Sequence, residues 1–550
     1  MDVNESIVKT LELVGVDHVF GGSGQVNASM LLALRDSEHI KTVIVRNEQG
    51  ASFMACGYAM FSDKLGVCFA TGGPGAFNLF SGMAVALSDS LPVLGITGYT
   101  SMSQRGKGAL NESTGLSRTP DSHAMFSATT KKSYIIEEGG QACDILQDAI
   151  TTAFEGRPGP VHIHVPKDIT VAEVDNFREV SISIPPVLPD PAQVTQFAEA
   201  LAGAIEEGRS IVLIAGYGVI RSHAEAELLQ LVERFQLPFI TTMDAKGVLP
   251  ENHPLSLGVY GTSGDPGAKS YFEAADVVLA IGNSFAQNAT FAFSPQLYAG
   301  KTLLHVNIDP HEIDKVYKAD LGMVSDASPA IVALMEALGE RVGPVPPRTV
   351  PRDKFYDHPL EPTSGRVHPA ALVRAMSANL PPDTIVMGDA GAHMLWLNCH
   401  LELNRNQRYQ NPGSFGPMAS HVNGAIGVKC ANPDKHVVCG CGDGGYLMAG
   451  FELLTAVEYE IPVVWVIFEN NEFNIIKEFM VNMYGDQAYM QFHNLDFVAY
   501  ARACGAEGYR VESIDQFPEV FARALASAGP TLITVPVEAE TYPPFAMGRV

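Results

Sequence analysis

The sequence has 550 residues, a formal net charge of −25 and an ordinary globular composition, with 46% apolar and 18% charged residues. This length predicts about two to four domains, and the acidic balance argues against a nucleic-acid or anionic-membrane partner, since either needs a basic surface. There is no apolar run of roughly 18 residues and no basic region followed by an apolar run at the N-terminus, so we expect neither a membrane span nor a signal peptide. The eight scattered cysteines are typical of reduced core residues in a cytoplasmic protein.

Strands alternate with helices in the first part of the chain, about residues 1–180. Ile7, Leu11 and Val14 recur at helical spacing and predict an opening helix. Short apolar runs predict strands at 42–45, 66–70, 92–96 and 161–165. This alternation predicts a parallel sheet flanked by helices.

Two proline-rich segments, 181–191 and 343–352, predict linkers. Between them, residues 192–342 form a second unit of the same kind, with strands predicted at 211–215, 238–241, 277–281 and 302–308. A third unit covers about 360–540, and residues 541–550 are expected to form a loose tail. The predicted fold class is therefore α/β, with three domains that each consist of a parallel sheet flanked by helices.

The stretch 437–473 in the third unit predicts a strand, a glycine turn, a helix and a second strand. The apolar run 437–441 leads into Gly442-Asp443-Gly444-Gly445, where the glycines favour a tight turn. A helix is predicted next from the spacing of Leu447, Phe451, Leu454 and Val457, and a buried strand from the apolar run 463–468. Asp443 and Asn470 should then lie at the carboxyl ends of two parallel strands, where ligands bind in open α/β sheets.

Asp443 and Asn470 offer one charged and one neutral oxygen ligand of the kind that Mg²⁺ prefers, with water and ligand phosphates completing its coordination. Gly444 and Gly445 would let phosphate oxygens approach backbone N–H groups near a helix start. The Gly-Asp-Gly triplet alone also fits an ordinary turn, but the Asn pair about 27 residues later makes the pattern more specific. Cys439 and Cys441 could form a metal pair; with no second pair nearby in sequence, buried cysteines are the favoured interpretation.

This stretch resembles the diphosphate-binding motif of thiamine-diphosphate (ThDP) enzymes. The segments RNEQGASFMACGYA and GVCFATGGPGAFNLFSG resemble the pyrimidine-domain signature of the same enzymes. The resemblance covers nearly the whole chain. Segments such as DSLPVLGITG and NIDPHEI resemble the acetolactate synthase and pyruvate oxidase group. The resemblance implies a pyrimidine-binding domain at 1–180, a central domain at 192–342 and a diphosphate-binding domain at 360–540.

The pyrimidine-domain signature contains Glu48. By itself, a carboxylate at a helix start also fits a simple interaction with the helix dipole. The resemblance implies instead that Glu48 hydrogen-bonds N1′ of the cofactor's aminopyrimidine and favours the imino tautomer, which takes the proton from thiazolium C2. It also implies cofactor contacts from Thr71, Pro74 and Asn78 in the neighbouring glycine loop.

Two further segments of the third unit resemble cofactor-binding loops. Gly391, Ala392 and His393 resemble the second diphosphate loop, in which backbone amides and a histidine meet the phosphates; an ordinary surface histidine is the alternative for His393. Gly416 and Met418 lie in a segment that resembles the one closing over the thiazolium, where a bulky apolar residue props the bent cofactor. Plain core packing is the alternative for Met418.

The resemblance also assigns the metal ligands. It implies that Mg²⁺ binds the side chains of Asp443 and Asn470 and the backbone carbonyl of Glu472, with Asn471 as the less favoured side chain.

The chain departs from the family pattern at several positions. Leu110-Asn111 stands where synthases often carry Phe-Gln, so Asn111 is a candidate residue of an altered acceptor pocket. His123 lies near the place where decarboxylases keep a histidine pair, although its neighbour is Ser122. The turns of the central unit resemble an FAD site, but Ala286-Gln287-Asn288 replaces the usual Arg- and Asp-rich run, so FAD stays an open cofactor.

The implied function is a ThDP- and Mg²⁺-dependent carboligase that decarboxylates pyruvate or a similar 2-oxo acid and joins the enamine to a second carbonyl. The alternatives are a 2-oxo acid decarboxylase, a flavin-dependent oxidase, or a family member that binds ThDP without turnover. A nicotinamide-dependent dehydrogenase is disfavoured, because no G-x-G-x-x-G follows the first strand. The family also implies active sites between subunits, and thus a homodimer or homotetramer.

Overall fold

The computed structural model describes residues 1–175, 177–351, 353–360, 365–404 and 406–539. These residues contain three six-stranded sheets whose neighbouring strands run parallel, with helices packed on them. The predicted fold class is therefore confirmed. Among the described residues, none of the helices combines the length and the apolar composition that a membrane span requires. The predicted tail, 541–550, and the last residue of the predicted linker 343–352 lie outside the described residues.

The first sheet has the strand order β2-β1-β3-β4-β6-β5. Its strands are β1 (His18–Gly21), β2 (Lys41–Ile44), β3 (Gly66–Ala70), β4 (Val93–Tyr99), β5 (Lys132–Ile135) and β6 (Val161–Pro166). Its helices are α1 (Val3–Leu13), α2 (Ala28–Asp36), α3 (Glu48–Met60), α4 (Pro74–Asn78), α5 (Phe80–Ser88), α6 (Ser122–Thr129) and α7 (Ala142–Phe154). Every residue of β3 and β4 is buried, because helices cover both faces of the sheet.

The second sheet has the order β12-β11-β10-β7-β8-β9. Its strands are β7 (Ile211–Ala215), β8 (Phe239–Thr241), β9 (Ser256–Val259), β10 (Val277–Ile281), β11 (Thr302–Asn307) and β12 (Leu321–Val324). Its helices are α8 (Pro191–Glu206), α9 (Tyr217–Arg221), α10 (Glu225–Phe235), α11 (Pro266–Ala274) and α12 (Ala327–Gly339). Residues 181–190 and 343–351 form neither helix nor strand, which is compatible with linkers.

The third sheet has the order β14-β13-β15-β16-β18-β17. Its strands are β13 (Ile385–Gly388), β14 (Arg408–Gln410), β15 (Val437–Gly442), β16 (Val464–Glu469), β17 (Glu507–Arg510) and β18 (Thr531–Pro536). Its helices are α13 (Pro369–Asn379), α14 (Ala392–His400), α15 (Ser420–Ala431), α16 (Asp443–Ala449), α17 (Leu453–Glu458), α18 (Asn474–Tyr484), α19 (Phe497–Cys504) and α20 (Phe517–Leu525). One hydrophobic core joins this unit to the first, with Phe53 of α3 and Ala425 of α15 both buried in it.

The helix predicted from Leu447, Phe451, Leu454 and Val457 is not continuous. A 3₁₀ turn at Gly450–Glu452 separates α16 from α17. The buried residues of α17 include Leu453 and Ala456, whereas Phe451 is 68% exposed. The predicted helix is therefore interrupted, and Phe451, one of the apolar residues from which it was predicted, lies exposed at the break.

Candidate active site

The carboxyl ends of β13, β15 and β16 meet at one edge of the third sheet. Gly388 pairs with Gly440 and Gly442 pairs with Phe468, so the loops that follow these strands lie side by side. Asp443 begins α16, and its Oδ2 accepts hydrogen bonds from the backbone N–H of Asn470 (2.9 Å) and Asn471 (2.7 Å). The structure thus brings Asp443 and Asn470 together at the carboxyl ends of two parallel strands, as the sequence analysis predicted.

Asp443 is 2% exposed, and burial raises the pKa of its carboxyl, while the hydrogen bonds that it accepts from Asn471, Asn494, Asn470 and Gly444 oppose that shift. A divalent cation would offset the cost of burying this charge. The neighbouring oxygen atoms that would serve as further metal ligands are the side-chain carbonyl oxygen of Asn470 and the backbone carbonyl oxygen of Glu472. One carboxylate and two neutral oxygens suit Mg²⁺, which keeps positions for water and phosphate oxygens.

The side chain and the backbone of Glu472 point to different partners. Its carboxylate forms an ion pair with Lys477 at 3.0 Å. Its backbone faces Gln491 in a short antiparallel bridge, in which the flanking residues exchange the hydrogen bonds, namely Phe473 N to Met490 O and Phe492 N to Asn471 O. In such a pair the carbonyl of Glu472 points away from the partner segment and is left for another ligand.

A cavity of about 500 Å³ lies beside this edge. It is lined by Gly391, Ala392, His393, Gly416, Met418, Asp443, Gly444, Gly445, Asn470 and Glu472, which the sequence analysis singled out. Tyr217, Thr242 and Asp244 line it from the second unit. The structure therefore gathers all of the predicted third-unit residues around one space.

His393 faces this cavity with a buried Nε2 that has no hydrogen-bond partner among the described residues. Burial lowers the pKa of His393 to about 4, so the imidazole is neutral near pH 7 and offers a hydrogen bond rather than a charge. Gly391 has φ +151°, and a Cβ there would lie 2.6 Å from the His393 ring. An unpaired buried nitrogen beside a glycine turn fits a polar ligand such as a diphosphate.

Asp389 positions the segment that carries Met418. Its two carboxylate oxygens accept the backbone N–H groups of Ala419 (2.8 Å) and His421 (3.0 Å). Burial raises the pKa of Asp389 to about 6. Because Ala419 directly follows Met418, these bonds fix the place at which Met418 enters the cavity lining.

Glu48 begins α3 in the first unit and lies against the glycine loop that follows β3. Asn78 Nδ2 donates to Glu48 Oε2 at 2.8 Å. A Cβ on Gly75 would lie 2.9 Å from Glu48 Oε1 and 3.0 Å from the Thr71 methyl group, so this loop needs its glycine to pass so close to the carboxylate. Pro74 is the first residue of α4 in the same loop. Glu48, Thr71, Pro74 and Asn78 therefore form a second group of predicted residues.

Asn111 and His123 occupy different surroundings. Asn111, with φ +60°, lies next to the glycine loop, because a Cβ on Gly73 would meet its backbone oxygen at 2.9 Å. His123 lies on α6, where its Nδ1 is 3.2 Å from Ser133 Oγ and its ring centroid is 5.9 Å from that of His164. The structure thus places Asn111 with the Glu48 group and ties His123 to a buried histidine cluster.

No residue of the Glu48 group, and neither Asn111 nor His123, is among the described residues that line the Asp443 cavity. Within one chain the two predicted halves of the site are therefore separate.

Comparison with known proteins identifies the family of this chain. Models of thiamine pyrophosphate enzymes match three segments: the N-terminal TPP binding domain at residues 1–119, the central domain at 198–334 and the C-terminal TPP binding domain at 389–535. The chain is 33% identical to a probable acetolactate synthase large subunit of Methanocaldococcus jannaschii, over 98% of this chain and 92% of that one. It is 32% identical to the acetolactate synthase large subunit of Parasynechococcus marenigrum, over 97% and 87%. The chain belongs to the thiamine pyrophosphate enzymes, in the acetolactate synthase group.

This thiamine pyrophosphate enzyme has a second cavity of about 1200 Å³ between its first and second units. Its lining includes turns of the second unit for which the sequence analysis left FAD as an open cofactor. The lining includes the glycine turn after β7 and the acidic and basic residues Asp63, Asp89, Asp244, Asp326, Glu336, Arg157, Arg221 and His223. Burial raises the pKa of Asp89 to about 7 and that of Asp244 to about 6. Arg157 forms an ion pair with Glu312 at 3.0 Å. The volume fits a dinucleotide, but the excess of carboxyl groups does not favour its diphosphate.

The sequence analysis did not identify three carboxylate or amide side chains that the structure places at or beside the predicted site residues, namely Asp389, Glu452 and Asn494. Asn494 Nδ2 donates to Asp443 Oδ2 at 2.8 Å, and Glu452 accepts the backbone N–H of Asn47 at 2.9 Å. Asp389 stands in the glycine turn after β13, which was a signal for a role there. The other two lie far along the chain from the groups they contact, and their sequence context gave no signal.

Proposed function

We propose that this protein is a ThDP- and Mg²⁺-dependent, acetolactate synthase-like carboligase that decarboxylates pyruvate or a related 2-oxo acid and joins the remaining fragment to a second carbonyl compound. The observation that carries this proposal is the match to acetolactate synthase large subunits over 98% of the chain, combined with the Asp443 and Asn470 pair at the sheet edge. We keep 1–180, 192–342 and 360–540 as the proposed domain limits. The free state of all eight cysteines supports a cytoplasmic location.

The third unit would hold the metal and the diphosphate. Asp443, Asn470 and the carbonyl of Glu472 supply three oxygens for Mg²⁺, and phosphate oxygens and water would complete the coordination. The glycine turns at Gly391 and Gly444, together with neutral His393, offer hydrogen-bond donors to the phosphates. ThDP, when bound, would supply the carbanion chemistry needed to decarboxylate a 2-oxo acid. Met418 would support the cofactor within the cavity.

The first unit would supply the acid–base group. Glu48 would hold the proton that it shares with the aminopyrimidine, and Asn78 orients the Glu48 carboxyl through its 2.8 Å hydrogen bond. Thr71 and Pro74 shape the loop beside it. Asn111, next to this loop, is the proposed residue of the acceptor pocket. We propose no catalytic role for His123, because its imidazole is held by Ser133.

We propose active sites between two subunits. The absence of Glu48 from the described lining of its own chain's Asp443 cavity supports this arrangement. Glu48 of one subunit would then complete the cavity of its partner, so a homodimer is the smallest active unit and a homotetramer is compatible with it.

A simple 2-oxo acid decarboxylase is the second candidate, favoured by the replacement of the usual Phe-Gln pair with Leu110-Asn111. A flavin oxidase is less well supported, because the carboxyl groups of the second cavity disfavour the flavin diphosphate. The visible absorbance spectrum of the purified protein tests for bound flavin directly.

Product analysis tests the proposed function. The protein is incubated with ThDP, Mg²⁺ and pyruvate, with and without a second 2-oxo acid, and the products are identified by mass. A branched 2-hydroxy-3-oxo acid supports the carboligase, whereas an aldehyde alone supports the decarboxylase. ThDP binding without CO₂ release would leave only the non-catalytic alternative.

Glu48→Gln is the matched variant for this experiment, because it preserves the size of the side chain. We expect it to bind ThDP but to lose most of its turnover, since the amide cannot share a proton with the aminopyrimidine. Unchanged turnover would contradict the proposed role of Glu48.

A further inference from the structure

The chain segment after α18 folds back over the loop that contains Asn470 and Glu472. Phe473 N donates to Met490 O at 2.9 Å, and Phe492 N donates to Asn471 O at 3.0 Å. The rings of Phe473 and Phe492 also pack together, with centroids 4.7 Å apart. Two residues beyond this pairing, Asn494 reaches Asp443, from which it is separated by 51 positions in sequence.

Asn494 makes the hydrogen bonding of the Asp443 carboxylate unequal. Asp443 Oδ2 accepts three hydrogen bonds, from Asn494 Nδ2 (2.8 Å) and from the backbone N–H groups of Asn470 (2.9 Å) and Asn471 (2.7 Å). Asp443 Oδ1 accepts one, from Gly444 N at 2.9 Å. Oδ2 is therefore fully occupied, whereas Oδ1 keeps lone-pair capacity for a cation.

The orientation of the Asn494 amide follows from the charge of its partner. The opposite orientation would place its carbonyl oxygen against the Asp443 carboxylate, which is repulsive, so the NH₂ group must face Asp443. The remaining atom, Asn494 Oδ1, is buried and has no hydrogen-bond partner among the described residues. The side chain thus keeps an unsatisfied oxygen while its amide serves Asp443.

We propose that Asn494 is a positioning residue of the metal site, which fixes the carboxylate plane of Asp443 so that Oδ1 points to the ion. This inference rests on the proposed function, in which Asp443 binds Mg²⁺. The hydrogen bond to Asp443 comes from a separate segment, residues 490–494. The folded-back position of this segment would therefore depend on metal binding at Asp443, and metal binding on its position. Groups that hydrogen-bond metal ligands commonly change metal affinity by about 10–100-fold when they are removed.

The test is a Mg²⁺ titration at saturating ThDP, followed by tryptophan fluorescence, since Trp396 lines the cavity. Asn494→Ala and the nearly isosteric Asn494→Leu should raise the Mg²⁺ dissociation constant by about 10–100-fold. A high Mg²⁺ concentration should restore ThDP binding in both variants. His493→Ala, which changes the exposed neighbour, is the matched control and should bind Mg²⁺ like the unmodified protein.

The thermal midpoints of the proteins without cofactor separate a folding defect from a metal defect. If Asn494→Ala does not fold, Asn494→Leu decides, because it keeps the volume of the side chain. A folded Asn494→Leu variant with an unchanged Mg²⁺ dissociation constant would overturn the inference while leaving the proposed function intact. An unmodified protein that binds ThDP with no dependence on Mg²⁺ would overturn the proposed metal site itself.

Discussion

Glu452 is a buried carboxylate of the third unit that holds the backbone immediately before Glu48. Its Oε1 accepts the N–H groups of Arg46 (3.0 Å) and Asn47 (2.9 Å), and its Oε2 accepts the hydroxyl of Thr455 (2.6 Å). Burial raises the pKa of Glu452, while these hydrogen bonds oppose that shift. The start of α3, and with it the Glu48 side chain, is therefore fixed by another domain of the same chain.

Glu452→Ala should destabilise the protein by about 2 kcal/mol or more, because it removes a buried carboxylate that accepts two backbone N–H groups and the Thr455 hydroxyl. Glu458→Ala is the matched control, since the largely exposed Glu458 pairs with the same Arg46 and should contribute less than about 1 kcal/mol. Urea unfolding of both variants measures the difference. Equal shifts in the unfolding midpoint would show that burial of Glu452 is unimportant.

His162 and His164 form a fully buried pair in the first unit. Thr97 Oγ1 lies 2.9 Å from His162 Nε2 and 2.8 Å from His164 Nδ1, and burial lowers the pKa of both imidazoles well below the ordinary value of 6.5. The unfolded chain therefore binds more protons than the folded protein once the pH falls through about 6.5. The contribution of these residues to stability is complete above that pH and is lost progressively below it.

Unfolding midpoints between about pH 5 and 8 should show this loss when the protein is compared with the double variant His162→Gln/His164→Gln. Buried carboxyls such as Asp389, with a pKa raised to about 6, respond in the opposite sense, so the difference between the two proteins is the relevant quantity. That difference should grow in favour of the double variant as the pH falls. A difference that is independent of pH would contradict the prediction.

Helices α3 and α15, of the first and third units, cross at very close range. A Cβ on Gly57 would lie 2.1 Å from Gly424 O, and a Cβ on Gly427 would lie 1.8 Å from Met54 O. Backbone therefore packs directly on backbone at this crossing. Helix α3 starts at Glu48, and α15 follows Met418. The crossing therefore fixes the positions of Glu48 and Met418 relative to each other within one chain.

Gly427→Ala should destabilise the protein by at least about 2 kcal/mol, because the added methyl group collides with backbone atoms that cannot rotate away. Gly203→Ala in α8 is the control, since a Cβ there meets nothing within 4 Å and should stabilise the helix by about 0.5–1 kcal/mol. Thermal unfolding of the two variants should give midpoints that move in opposite directions; a Gly427→Ala midpoint at or above that of the unmodified protein would refute close packing here.

The central strands were predictable from sequence, but several edge strands were not. The continuous apolar runs of β3, β7 and β10 identify strands that are buried on both faces. In β5, β12 and β17 only one residue of four is buried, so no apolar run or strict alternation marks them. The break at Gly450–Glu452 was also not predictable, because helical spacing alone does not show which face of a helix other residues cover.

At the scale of the whole molecule, apolar side chains remain exposed beside the third sheet. Met448 and Phe451 are 55% and 68% exposed, at neighbouring turns after the Asp443 loop. We propose that these two side chains belong to a surface for association. They would then contribute to the proposed subunit interface.

Phe451→Glu should weaken dimerisation and, with it, turnover, because a charge would be buried in an apolar interface. Leu32→Glu is the control, since Leu32 is an exposed apolar residue on α2 in the first unit. Sedimentation at several protein concentrations measures the association. A Phe451→Glu protein that stays dimeric at the same concentrations as the unmodified protein would place the interface elsewhere.

The candidate site was predictable where its chemistry is local. Asp443, Asn470 and the glycine turn at Gly444 belong to one strand–helix–strand unit, so their spacing in sequence was enough to predict that they lie together. Asn494 and Glu452 reach their partners across 51 and about 400 positions, and such contacts exist only once the chain has folded. The separation of Glu48 from the Asp443 cavity depends on three-dimensional packing, which spacing along one chain cannot reveal.

This separation has a genetic consequence. If each catalytic centre draws Glu48 from one copy and Asp443 from the other, a copy damaged at Glu48 and a copy damaged at Asp443 are each inactive alone. Co-expressed, they would pair into hybrids in which both lesions fall on the same centre and the opposite centre is intact. Such alleles would complement each other, whereas two lesions within one half of the machinery would not.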